Sequence, residues 1–203
     1  MTFFTFLVQL LIYSFLPLFG IFFFGWDWKE IIILFWLENI TIGARATLGM
    51  IRTKVMPTDP YPENTNGSVS NHETLNKYGS IVQFIINYGG LTAAHGIFLF
   101  VVLSSNFFGE NISSNDIFRL VIFWIIACTL QLIAAFNQPA PIAPLKQQSI
   151  EPFKRIAPLH LAIIFGVFAI ELLNLPAGAV IILIGVKFMI DVMNYKSVKP
   201  VVI

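Results

Sequence analysis

Eight residues able to do chemistry fall inside or at the ends of segments that are otherwise apolar: Glu38, Arg45, Asn87, His95, His160, Lys187, Asp191 and Asn194. Carboxylates and imidazoles can hold a cation or carry a proton, the imidazoles near physiological pH, while carboxamides and cations orient a ligand through hydrogen bonds. A charged side chain at the centre of a spanning helix costs roughly 2.5 to 3.5 kcal/mol on insertion scales, so such residues mark a functional site by default. The chemistry they suggest is the binding of a small ligand, ion or proton within the membrane.

Their spacing groups them. Glu38 and Arg45 are seven residues apart with Thr41 between, which puts them on nearly one helix face, and Asn87 stands eight residues before His95 in the same way. Lys187 and Asp191 have the i to i+4 spacing that closes an ion pair on one helix, which would merely neutralise them or leave Asp191 to serve a site. Depths counted from the segment ends predict two layers. Glu38 with His95 forms the outer one, and Arg45, Asn87, His160, Lys187 and Asp191 form the inner one.

The elements that must position these residues are spanning helices. The chain has 203 residues, 57% hydrophobic and 11% charged, with 21 Phe and a mean hydropathy of +0.79, against about 25% charged in a soluble domain. The expected fold is an all-α integral membrane bundle of about six transmembrane helices forming one domain over residues 1–203. The spans run approximately from Phe3 to Gly25, Glu30 to Ile51, Ser80 to Leu103, Ile117 to Phe136, Ile156 to Leu173 and Ala177 to Tyr195. The opening MTFFTFLVQLLIYSFLPLFG has no basic n-region and reads as the first of them. Residues 53–78, rich in Pro, Asn, Ser and Thr, read as a flexible cytoplasmic loop, and the Pro-rich 139–152 as an extended connection.

Orientation follows from the basic residues between spans. Arg52, Lys54, Lys77, Lys146, Lys154, Arg155, Lys196 and Lys199 fall on one side, and Lys29 and Arg119 on the other. The rule that cytoplasmic loops carry the excess of Lys and Arg puts both termini inside the cell. The expected location is the plasma membrane, with the bilayer and a second copy or another membrane protein as partners. A net charge of +1 argues against nucleic acid, and the single Cys128 makes no intramolecular disulfide.

Three functions compete. One is a polar intramembrane cavity built from the eight residues. Another is an intramembrane hydrolase in which Glu38 would activate water, but the chain has Glu38-Asn39 in place of paired glutamates, and neither His-Glu-x-x-His nor Gly-x-Ser-x-Gly. The last is an accessory or assembly protein whose polar layers only join helices. The surface made by Gly89, Gly90, Ala93 and Ala94 suits close approach of another helix. No motif identifies a cofactor.

The stretches LPLFGIFFFGWD, FWLENITIG, NYGGLTAAHGIFLF, LHLAIIFG and VKFMID, in that order, resemble the multi-pass bacterial and archaeal family known as domain of unknown function 6498. The resemblance runs from Leu16 to Asn194, leaving out the 52-to-78 loop, and implies a membrane bundle without naming an activity. Family members often have His-Tyr-Gly-Gly where this chain has Asn87 to Gly90, and a histidine where it has Asn194. Two imidazoles replaced by carboxamides argue against a metal site, since Asn is a poor ligand for zinc or iron.

Overall fold

The structure is a computed structural model and describes residues 16–53, 69–104, 113–141, 145–154, 156, 184–185 and 188–189, with the side chains of 69–76, 102 and 104 excepted. The described residues are mostly helical, with no strand among them. They form α1 (residues 16–24), α2 (Trp28–Arg52), α3 (Val69–Ser104), α4 (Ser114–Phe136) and α5 (residues 145–154). Three of these are long and apolar enough to cross a membrane: α2, the Lys77–Val101 part of α3, and α4. They correspond to the second, third and fourth expected spans. The first lies partly, and the fifth and sixth almost wholly, outside the described residues.

The entry into α2 is written locally. Gly25 takes a left-handed φ of 66° that a side chain would resist, and the Trp26 N–H donates to the Gly20 carbonyl at 3.1 Å. Asp27 then caps the helix. Its carboxylate accepts from the Trp28 N–H at 2.7 Å, and the Glu30 carboxylate accepts from the Asp27 N–H at 2.9 Å. This reciprocal box satisfies backbone donors that a helix start otherwise leaves open.

The helix α2 is central. In its most apolar window 44% of residues are buried, against 28% for α3 and 17% for α4, and α3 and α4 each pack against it. Side-chain bonds give the directions. Lys77 reaches the carbonyls of Ile51 and Thr53, both at 2.7 Å, while Tyr88 reaches that of Asn39 and Trp36 that of Thr92. Hence α3 runs antiparallel to α2. Trp124 reaches Leu37, Arg45 reaches Gln131 and Arg52 reaches Ala135, so α4 runs parallel to it. The alternating threading expected of successive spans is present for these three.

Basic side chains close the helix ends. Arg52 donates to the carbonyls of Ala135 at 2.7 Å and Gln138 at 2.6 Å and lies over the Phe136 ring at 5.0 Å. Together with Lys77 it brings positively charged donors to carbonyls at the C-terminal ends of α4 and α2. Lys29 and Arg119 are at the opposite end, where α2 and α4 begin.

Two stretches expected as loops are partly helical. The helix α3 begins at Val69, nine residues before the expected end of the 53–78 loop. Residues 145–154 form α5, most of it inside the Pro-rich connection. The run Leu145 to Glu151 contains no proline, so nothing within it removes a helical hydrogen bond.

Candidate functional site

The face of α2 that carries Glu38 is the most protected polar surface described. Glu38 is 2% exposed and Asn39 and Thr41 are fully buried, all near the middle of a 25-residue helix. The α3-facing line of α2 passes through Trp36 and Gly43, and the α4-facing line through Thr41 and Arg45. Glu38 and Asn39 fall between those lines, on the side shared with Ile31 and Phe35. Both of these are fully buried as well.

Each neighbour uses some of this polarity. The Trp124 indole donates to the Leu37 carbonyl at 2.9 Å and to the Thr41 hydroxyl at 3.0 Å. The Arg45 guanidinium donates to the Gln131 carboxamide oxygen at 3.2 Å. Tyr88 donates its hydroxyl to the Asn39 carbonyl at 2.9 Å, and the Trp36 indole donates to the Thr92 carbonyl at 2.9 Å. The side-chain oxygen and nitrogen of Asn39, both buried, have no hydrogen-bond partner among the described residues.

The buried stripe of α3 is Ile81, Phe84, Tyr88, Thr92, His95 and Leu99, spaced as one helix face. His95 therefore faces inward, 8% exposed, with its ring 6.2 Å from that of Phe98. The pairing of Tyr88 with Asn39, and of Thr92 with Trp36, sets the register between α2 and α3. It places His95 about one turn, roughly 5 Å, nearer the start of α2 than Glu38. The two are neighbours in depth rather than level.

Asn87 lies elsewhere. It is exposed, and its carboxamide oxygen accepts from Gln83 at 3.0 Å, on the side of α3 away from Arg45's partner. The inner polar layer thus has Arg45 bonded to Gln131 of α4, without Asn87. His160, Lys187, Asp191 and Asn194 lie outside the described residues, and with them the expected Lys187 and Asp191 pair. Gly89 and Gly90 are exposed, with nothing among the described residues within 4 Å of a Cβ added to either. Close approach is made instead at Gly43 against Tyr88 and at Gly96 against Trp36.

Over residues 5–200 the chain matches a family of unknown function, DUF6498. The chain belongs to this family. No curated protein and no solved structure matches it. The DUF6498 match takes in all four described candidates, Glu38, Arg45, Asn87 and His95, and assigns a role to none.

Sequence reasoning passed over the residues that join the helices around these candidates. Gln131 sits in the apolar run IIACTLQLIAAF, and a lone carboxamide there was signal enough, because it must find a donor or acceptor in another helix. Tyr88, Trp36 and Trp124 carried a weaker signal. An aromatic with a polar tip is ordinary in an apolar helix, and only the packing shows that these tips bond backbone carbonyls.

Proposed function

We propose that this is a multi-pass plasma-membrane protein of about six spans, both termini cytoplasmic, with a polar intramembrane site around Glu38 and Asn39 for a small ligand, ion or proton. One observation carries the reading. The Asn39 carboxamide is buried at the middle of a membrane-length helix with neither polar atom bonded among the described residues. Leaving such an amide unsatisfied costs about 1 to 3 kcal/mol, and a bound polar group would repay that cost. Glu38 and His95 supply charge that can change with pH, and His160, Lys187, Asp191 and Asn194 are proposed as further members.

The test is Asn39→Leu, an apolar side chain of similar size. For a ligand site, the purified variant is more stable than the parent when empty and no longer carries the small molecules that mass spectrometry finds in solvent extracts of the parent. A variant less stable than the empty parent would show that the amide is already satisfied by its own helices.

A second reading has its own support. Thr41 and Arg45 are already engaged by Trp124 and Gln131, which is the behaviour of residues that join helices. In that reading the protein is an accessory or assembly component and Asn39→Leu is silent in the extract comparison.

A further inference from the structure

We propose that the groove between α3 and α5, at the end of the bundle where the basic residues gather, binds an anionic phospholipid. Its volume is about 530 Å³, within the roughly 300 to 1,000 Å³ usual for small-molecule sites. From α3 it is lined by Ser80, Gln83 and Asn87, and from α5 by Lys146, Ser149 and Phe153. Each triplet is spaced by three and then four residues, so each forms a ladder along one helix face. This proposal rests on reading the chain as membrane-spanning, and not on the Glu38 and Asn39 site.

The α3 ladder is out of place on a surface facing only hydrocarbon. Gln83 and Asn87 are exposed within the apolar window Lys77–Val101, among the exposed side chains of Val82, Ile85 and Ile86. Gln83 donates one bond to the Asn87 carboxamide oxygen, which leaves further amide hydrogens turned outward. Polar groups are costly against acyl chains, so an occupant with acceptors at that depth fits the surface.

The charge is at the mouth. Lys77 is spent on the carbonyls that end α2, and Lys154 is paired with Glu151 at 3.4 Å. Among the described residues no acid pairs with Lys146, which also borders a smaller adjoining groove of about 370 Å³. A cation and the Ser149 hydroxyl at the mouth suit a phosphate. Asn87 lies about 10 Å further along α3 than Ser80, at the depth where ester carbonyls would accept from neutral amides. Ile86 and Ile150, both exposed, continue the surface for acyl chains. A free phosphate would leave the deeper carboxamides unused; a phospholipid uses both.

The test titrates full-length protein in mild detergent with phosphatidylglycerol and with phosphatidylcholine of the same acyl chains, read by native mass spectrometry. The parent retains phosphatidylglycerol in preference. Lys146→Gln weakens that retention about fivefold, the size expected for one basic residue at an anionic surface, and Lys146→Arg restores it. Gln83→Leu with Asn87→Leu also weakens it, whereas Lys154→Gln does not. Equal retention of the two lipids by the parent, an unchanged preference in Lys146→Gln, or complete displacement by inorganic phosphate overturns the proposal. Alkaline carbonate extraction of the starting membranes separates the two premises. Protein released by carbonate overturns the membrane reading, and protein that stays but does not discriminate overturns the lipid site alone.

Discussion

Tyr88 and Gly43 are built for each other: a Cβ on Gly43 would lie 2.6 Å from the Tyr88 ring, and that ring's hydroxyl reaches the Asn39 carbonyl one turn earlier on α2. The same ring stacks on Phe84 at 5.0 Å and meets Phe153 edge-on at 5.4 Å. One side chain therefore holds α2, α3 and α5 together beside the candidate site.

Gly43→Ala should destabilise the protein despite alanine's better helix propensity. Propensity favours the change by about 1 kcal/mol, whereas overpacking a close contact costs typically 1 to 3 kcal/mol. In a Tyr88→Ala background the obstacle is gone, so Gly43→Ala there becomes neutral or stabilising. Thermal unfolding of the four variants measures this coupling, and additive effects would remove the contact from the account.

Gln131→Leu should cost more than the double change Gln131→Leu with Arg45→Leu. The single change leaves the half-buried guanidinium without the acceptor it now has on α4, while the double change removes both polar groups and is close to neutral. The expected coupling is about 0.6 to 2 kcal/mol, the range found for side-chain bonds between membrane helices. Unfolding in detergent by denaturant reads it.

Arg52→Gln removes two charge-assisted bonds and a ring contact at the end of α4. A loss of about 1 to 3 kcal/mol is expected, since hydrogen bonds to charged groups are the stronger ones. Lys199→Gln at the far end of the chain serves as the comparison for a simple loss of charge. Equal effects of the two substitutions would show that the carbonyl bonds contribute little.

The proposed orientation is testable in a glycosylating host. Asn66-Gly67-Ser68 and Asn111-Ile112-Ser113 are acceptor sites on opposite sides of the proposed topology. Asn66 stays unmodified if its loop is cytoplasmic, and a glycan on it reverses the orientation.

The sequence alone determined the all-helical class and the place of its long apolar helices. Apolar runs of membrane length are set by composition, which is why α2, the apolar part of α3, and α4 lie where runs of about 20 residues were read. The inward turn of Glu38 and His95 was legible for the same reason, because charged and polar groups avoid hydrocarbon. Even the cap at Asp27 and Glu30 was written in the chain as Asp-Trp-Lys-Glu, although the second span was read as starting at Glu30.

What only the tertiary structure decided is which polar groups meet. Spacing along one helix cannot report the rotation of its neighbour. Asn87, on the same nominal face as His95, therefore turned outward to Gln83, and Arg45 found Gln131 on α4. The glycines show the same thing. Gly89 and Gly90 looked suited to close packing, yet Gly43 and Gly96 are the ones that receive rings. A missing side chain permits approach, and only the placement of Tyr88 and Trp36 decides where approach occurs.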